Sequence, residues 1–182
     1  IGNNEACAWG LTNSMVDDVD FFIEKIHPKN PNQYLQGNEW KNMEIVSETI
    51  PLKNGQDTTV AIRLTHHGPV ISDIHPLLKG KETAMSMAWV GHELTNEMNA
   101  FMKINTMKNW NDFTEAVKNF GVPGQNIIYA DTAGNIGWRP AVYVPIRKEG
   151  NSLIPRPGHN KSYDWDGYVP FEKMPYIFNP EK

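Results

Sequence analysis

Acidic side chains are concentrated near the start of the chain, in the stretch CAWGLTNSMVDDVDFFIE at residues 7–24. Asp17, Asp18 and Asp20 lie within four positions of one another. Carboxylates this close repel each other, so solvent or a bound cation must screen them. Hard cations such as Ca²⁺ take oxygen ligands of this kind. The cluster therefore indicates either half of a cation site or a solvated acidic turn.

Histidine and cysteine, the other common metal ligands, form no such pattern. His66 and His67 are adjacent, and the other four histidines lack the H-x-x-x-H spacing typical of zinc sites. The single cysteine, Cys7, excludes an internal disulfide and a cysteine-based zinc site. Small residues flank Cys7 in a strand-like stretch, so we expect it to pack in the core. The spacing indicates no zinc site.

Composition excludes several classes of protein. Of the 182 residues, 40% are hydrophobic and 21% charged, which is typical of a folded globular chain. The net charge of -4 and the absence of a basic run argue against a nucleic-acid partner. No apolar stretch reaches membrane-spanning length. The chain opens on Ile1 and stops at FNPEK, so we expect a segment of a longer protein.

Strand signals flank the candidate residues on both sides. The run VDFFIE at 19–24 alternates with period two. Asn54-Gly55 stands between two alternating segments and predicts a hairpin, and Ala133-Gly134 predicts the tip of another. The predicted class is α+β, with antiparallel strands and a pair of helices inserted midway.

The helical part is predicted at about 95–120. Its first helix has an apolar stripe formed by Leu94, Met98, Phe101 and Met102. Its second helix begins at Asn109 as N-cap, with Asp112 in the first turn. The apolar face expected of that helix is Phe113, Val117 and Phe120.

Four stretches in series carry a family resemblance: AWGLTNSMVDDVDFFIEKIHP, RLTHHGPVIS, QNIIYADTAGNIGW and YDWDGYVPFEKMP. Together they resemble the penicillin acylase family of N-terminal-nucleophile hydrolases, over nearly the whole chain. The order of the stretches is similar to that of an internal segment of the large (β) subunit. The resemblance implies part of an αββα-type sandwich and an amidohydrolase that cleaves a linear amide between an acyl group and an amine.

The implied mechanism uses an N-terminal serine, with its own α-amino group as base. That serine and the oxyanion asparagine of the family would lie outside residues 1–182, so we expect the isolated segment to be inactive. The resemblance assigns the backbone N–H of Asn13 to the oxyanion hole. The acyl-pocket positions that it implies are Leu11, Met15, Phe101 and Gln125.

The resemblance also implies a structural calcium ion and no cofactor for the chemistry. Its ligands here would be the carboxylates of Asp17 and Asp20 and the carbonyls of Val19 and Ser152. Asp18 is expected to face away from the ion. Because the family's base is an amine, His67 is interpreted as a structural hydrogen-bonding residue rather than a catalytic one.

The implied partners are a small-molecule amide and a small (α) subunit from the same precursor. The expected substrates are penicillins, cephalosporins or acyl-homoserine lactones, and the expected location is periplasmic or secreted. Two alternatives remain open at this point. The chain could be a non-catalytic calcium- or glycan-binding α+β module, or a segment of a catalytically dead homologue.

Overall fold

A computed structural model describes residues 1–53, 55–79 and 83–181. The strands, in chain order, are β1 (Gly2–Asn3), β2 (Cys7–Asn13), β3 (Val19–Glu24), β4 (Ile26–His27), β5 (Asn30–Gln36), β6 (Glu39–Asn42), β7 (Glu44–Ile50), β8 (Thr58–Thr65), β9 (Gly68–Pro69), β10 (Ala84–Trp89), β11 (Gln125–Asp131), β12 (Ile136–Ala141), β13 (Pro145–Arg147), β14 (Arg156–Pro157), β15 (Trp165–Tyr168) and β16 (Ile177–Phe178). The α-helices are α1 (Glu97–Thr106) and α2 (Trp110–Val117). Short 3₁₀ turns cover Ile71–Asp73, Val90–His92, Lys161–Tyr163 and Phe171–Lys173.

Contacts divide the chain into two units, each assembled from separated stretches. The first unit comprises Ile1–Asp18, Val90–Ile146 and Gly167–Lys182. The second unit comprises Val19–Trp89 and Arg147–Asp166. The mixed content, with mostly antiparallel pairing, confirms the predicted α+β class.

The first unit contains a five-stranded antiparallel sheet in the order β1-β2-β11-β12-β16. Side chains alternate between its two faces, so Ile127 and Tyr129 of β11 point into the core that also contains Phe113. On the other face, Ile128, Ile136, Trp138 and Ile177 line an open apolar groove of about 510 Å³. One face of the sheet is therefore covered by the helices, and the other is open.

Packing of the helices confirms one predicted face and corrects the other. Phe113, Val117 and Phe120 are buried, and the Asn109 side chain accepts a hydrogen bond from the Asp112 N–H (3.0 Å) as an N-cap. The expected stripe of α1 is instead exposed: Leu94, Met98, Phe101 and Met102 all face outward. The side chains that α1 buries are Ala100 and Ile104. Periodicity located the apolar residues but not the side on which the helix packs.

The second unit is built from three small sheets. Their strand orders are β10-β3-β14, β4-β5-β6 and β7-β8-β9. In the first of them β3 pairs antiparallel with β10 and parallel with β14. The predicted strand at 19–24 is present as β3, and its buried face carries Asp20, Phe22 and Glu24. Two carboxylates therefore lie inside this unit and need partners there.

Both predicted hairpins connect neighbouring strands. In the second unit β7 pairs with β8 from Ile50↔Thr58 onward, and Asn54 of the predicted turn lies outside the described residues. In the first unit β11 and β12 are joined by a turn in which Gly134 has φ +89° and Asp131 accepts from the Ala133 N–H (3.0 Å). In the described part of the chain, no helix is long and apolar enough to cross a membrane.

Candidate functional site

The end of β2 presents a backbone donor at an uncovered sheet edge. Two hydrogen bonds show which residues of β2 direct their backbone N–H and C=O groups toward β11. The Ser14 N–H donates to the Gly124 carbonyl (2.8 Å), and the Thr132 N–H donates to the Ala6 carbonyl (3.0 Å). Because alternate residues of an antiparallel ladder face the partner strand, the even-numbered residues of β2 face β11.

Asn13, an odd-numbered residue, therefore directs its N–H to the opposite edge of β2. Within the described residues β1 pairs with only Ala8 and Trp9, well short of Asn13. The Asn13 carbonyl accepts from Asn126 Nδ2 (3.3 Å), and its side-chain oxygen accepts from Gln125 Nε2 (3.2 Å). These contacts hold Asn13 in place while its N–H faces the uncovered edge.

The structure brings together some of the predicted pocket residues. Leu11 and Gln125 lie on the same sheet face as Asn13, and Gln125 pairs directly with Asn13 in the register. Leu11 also packs against the helix-side core. Phe101 is 39% exposed on α1 and meets the Phe120 ring edge-on at 5.6 Å. Met15 is 96% exposed, so it projects into solvent instead of packing on this group.

The predicted calcium ligands differ in their surroundings. Asp17 is exposed in the first unit, and Asp18 is half-buried there. Val19 and Ser152 are half-buried in the second unit. Asp20 is buried in that unit, where its Oδ2 accepts from Arg147 Nε (2.8 Å) and from Trp165 Nε1 (2.5 Å). A guanidinium already neutralises the Asp20 carboxylate, so a cation at Asp20 would compete with Arg147.

A second polar centre lies inside the second unit, around Glu24 and His67. Glu24 Oε1 accepts hydrogen bonds from His67 Nδ1 (2.9 Å), Ser86 Oγ (2.6 Å) and Thr65 Oγ1 (2.9 Å). The other ring nitrogen of His67, Nε2, lies 3.0 Å from Asp164 Oδ1. His67 is thus held at both nitrogens, in agreement with its interpretation as a structural hydrogen-bonding residue.

Electrostatics favour an ionised Glu24 and a neutral His66. Burial alone would raise the pKa of Glu24, but the hydrogen bonds from His67, Ser86 and Thr65 outweigh it and lower the pKa below its ordinary value. Burial, assisted by the neighbouring His67, lowers the pKa of His66. Glu24 therefore favours its ionised form, and His66 favours its uncharged form.

Sequence reasoning missed Glu24 and Asp164 as partners of His67. A signal existed for Glu24, because the period of β3 places it on the same face as Phe22. Arg139 was also missed: it is buried in the first unit, its guanidinium 4.2 Å from the Phe171 ring centroid and 4.7 Å from that of Tyr176. Burial lowers its pKa, and the two ring faces offset part of the cost of burying the charge.

Comparison with known proteins covers nearly the whole chain. The penicillin amidase family model matches residues 1–182. The chain is 34% identical over 181 residues to penicillin G acylase of Escherichia coli, covering 99% of this chain and 21% of that protein. It is 28% identical over 180 residues to the acyl-homoserine lactone acylase QuiP of Pseudomonas fluorescens (strain Pf0-1), covering 98% of this chain and 22% of that protein.

A solved structure, the thermostable penicillin G acylase from Alcaligenes faecalis, superposes with a TM-score of 0.83 at 29% identity. The match covers 98% of this chain and 32% of that one. The α+β arrangement is thus part of an N-terminal-nucleophile hydrolase fold, as the resemblance implied. The chain spans about a fifth of the length of the curated relatives it matches. The chain belongs to the penicillin amidase family.

Proposed function

We propose that this chain is an internal segment of the large subunit of an amidohydrolase, and that it supplies one backbone donor and one wall of the acyl site. The parent's nucleophile is an N-terminal serine outside residues 1–182. That serine attacks the amide carbonyl, its α-amino group takes the hydroxyl proton and passes it to the departing amine, and water hydrolyses the resulting ester.

The oxyanion of the tetrahedral intermediate is stabilised by the Asn13 N–H together with an asparagine amide outside this segment. The observation that supports this role is the alternation of the β2–β11 ladder, which directs the Asn13 N–H to an uncovered edge. A donor of this kind is preorganised by the sheet, so little reorganisation accompanies the reaction. The side chain of residue 13 is not required for it.

The acyl group lies against Leu11 and Gln125 in this proposal, with Phe101 and Met15 completing the wall when the rest of the parent is present. Relatives are named for penicillin G and for acyl-homoserine lactones, so the acyl chains to test are phenylacetyl and linear alkyl. The amide of Gln125 adds a polar group to a largely apolar surface. It favours an acyl chain that carries a hydrogen-bonding group.

A structural calcium ion is the proposed role of the aspartate cluster. Carboxylates of Asp17 and Asp20 with carbonyls of Val19 and Ser152 form an all-oxygen donor set, which suits Ca²⁺ but fills only part of its shell of six to eight ligands. The remaining ligands come from the parent outside this segment. Because Arg147 is paired with Asp20, calcium binding at Asp20 displaces or shares that guanidinium.

The small subunit and the rest of the large subunit are the proposed cover for the apolar surfaces of the first unit. One such surface comprises Met98 and Met102 of α1 with Leu94 just before that helix, and the groove at Ile128 and Trp138 is the other. Exposed apolar patches are typical of interfaces. The parent is also proposed to act in the periplasm or outside the cell, as the family resemblance implies.

Hydrolysis of a panel of amides by the full-length parent tests the proposal. The panel contains penicillin G, a glutaryl-cephalosporin and acyl-homoserine lactones of several lengths, with release of the free amine as the readout. Turnover of at least one amide, and no turnover by residues 1–182 alone, is the expected result. A processed parent that leaves every amide intact would favour a dead homologue, and calcium or glycan binding without turnover would favour a binding module.

A further inference from the structure

His66, His67 and Asp164 converge on one point of the second unit. One nitrogen of each histidine and one oxygen of Asp164 lie within 4.8 Å of one another. Two imidazoles and a carboxylate form a donor set suited to Zn²⁺, Co²⁺ or Ni²⁺ and poorly suited to Ca²⁺, which takes oxygen ligands. We propose that these three side chains bind a divalent transition-metal ion of the zinc class, at a site chemically distinct from the aspartate cluster.

Distances within the cluster match those of a metal site before the ion is bound. Asp164 Oδ1 lies 3.0 Å from His67 Nε2 and 3.5 Å from His66 Nε2. Two ligands at tetrahedral positions around Zn²⁺, with bonds of about 2.0–2.1 Å, are separated by about 3.3 Å. The two measured distances bracket that value. The ligating nitrogens of the two histidines lie within 4.8 Å of each other, and their ring centroids are 3.8 Å apart.

Glu24 supplies what a metal-binding histidine requires at its other nitrogen. A carboxylate that accepts from the non-ligating N–H fixes the tautomer and the ring orientation. Glu24 Oε1 accepts from His67 Nδ1 at 2.9 Å, which leaves the Nε2 lone pair for the metal. Gly158 packs directly against Glu24 Oε2, where a Cβ would collide, so the carboxylate is held in place.

Aromatic rings fix the two imidazoles from the side. His67 stacks on Phe22, with ring centroids 3.6 Å apart and an interplanar angle of 2°. His66 stacks on Tyr34 at 5.5 Å. Rings held in this way lose little conformational entropy when an ion binds.

Asp164 and His66 also leave a way in for the ion. Their side chains are 29% and 21% exposed, whereas His67 is nearly inaccessible. Three protein ligands with one side open to solvent leave a fourth position for water or another ligand.

Sequence spacing does not indicate this site because its ligands come from distant segments. The two adjacent histidines cannot form an H-x-x-x-H pair, and Asp164 follows His67 by 97 positions. Pairing of β14 with β3 brings the segment before Asp164 alongside the strand that carries Glu24. The spacing therefore pointed away from zinc, whereas the folded arrangement points to it.

Titration of the full-length parent with Zn²⁺ and Co²⁺ tests the proposal. The protein is first stripped with a chelator and then saturated with Ca²⁺, so that oxygen-only sites are occupied. Calorimetry with Zn²⁺ is expected to show one site per chain, and Co²⁺ to produce the visible absorption of a low-symmetry nitrogen- and oxygen-ligated ion. His75→Gln is the matched control, since His75 is an exposed histidine of the same unit.

Three variants distinguish the ligands from their support. His66→Ala and Asp164→Asn remove ligands and should abolish the Co²⁺ absorption. Glu24→Gln should weaken Zn²⁺ binding by about 10–100-fold, the usual effect of altering such a partner. Because Glu24→Gln also alters a buried centre, the melting temperature of this variant is measured in parallel. If Glu24→Gln unfolds, the His66→Ala variant, whose side chain is partly exposed, decides whether the cluster binds Zn²⁺. Absence of Zn²⁺ binding, or equal binding by wild type and His66→Ala, would overturn the proposal.

Discussion

Replacing Asn13 by proline removes one backbone N–H and leaves the β2–β11 ladder intact. The Asn13 N–H faces away from β11, so no ladder hydrogen bond is lost, and proline is tolerated at the end of an edge segment. If this N–H is an oxyanion-hole donor, its loss should lower kcat on the order of 10²–10³-fold, or about 2.7–4 kcal/mol of transition-state stabilisation.

Two neighbouring variants control for side chain and for fold. Asn13→Ala keeps the N–H and loses the exposed contact with Gln125 Nε2 (3.2 Å), so kcat should stay close to wild type. Ser14→Pro removes the N–H that donates to Gly124 at 2.8 Å, and should reduce the free energy of unfolding by about 1–3 kcal/mol. The three variants therefore separate loss of the donor from loss of the sheet.

Steady-state kinetics of the full-length parent, on the amide it hydrolyses fastest, is the assay. Circular dichroism and thermal melting establish that each variant is folded. We expect a large loss of kcat for Asn13→Pro alone, with KM little changed. A folded Asn13→Pro enzyme whose kcat lies within about threefold of Asn13→Ala would refute the assignment, because loss of an oxyanion donor typically costs about 10²–10³-fold in kcat.

Three further predictions concern stability and calcium. Phe113→Ala, at a fully buried position, should lower the free energy of unfolding in urea by about 3–5 kcal/mol. Phe101→Ala should lower it by less than about 1.5 kcal/mol and should change which acyl chains the parent prefers. Glu97→Gln weakens acceptance from two backbone N–H groups and should cost about 1 kcal/mol at neutral pH. Burial alone would raise the pKa of Glu97, but these bonds and one from Thr95 outweigh it and lower that pKa. The contribution of Glu97 is therefore present above its unfolded-state pKa and lost as pH falls through the lower folded-state pKa. A cost of Glu97→Gln in urea unfolding that does not decrease as the pH is lowered would contradict this. Asp17→Asn should weaken Ca²⁺ binding to the parent on the order of tenfold by calorimetry, and unchanged binding would remove Asp17 from the shell.

Local pattern predicted the elements better than the faces they bury. The caps and turns at Asn109 and Gly134 depend on a few adjacent residues, so the sequence contains all the information that specifies them. Which stripe of α1 is buried depends on the elements packed against it, and Ala100 and Ile104 lie in one core cluster with Phe113 of α2 and Ile127 of β11. Period two in β3 likewise leaves both faces possible, and the one with Asp20 and Glu24 is buried.

Partners that are distant in the sequence explain why the face of β3 with Asp20 and Glu24 is buried. They also account for most of the features of the candidate sites that the sequence could not predict. Arg147 and Trp165 reach Asp20 from 127 and 145 positions away, and they make its burial tolerable. His67 and Ser86 do the same for Glu24. No spacing rule joins residues so far apart. The family resemblance could propose roles for Asn13 and the pocket residues because it brings long-range information that composition and period do not contain.

Intact mass of the parent protein, expressed from its full reading frame and purified, tests the central claim most directly. We expect two chains from one precursor, the larger of which begins with serine and contains residues 1–182. Brief reaction with a slowly hydrolysed acyl donor should add one acyl mass to that larger chain alone. A single unprocessed chain, or a processed one that never gains an acyl group, would contradict the proposed N-terminal-serine mechanism.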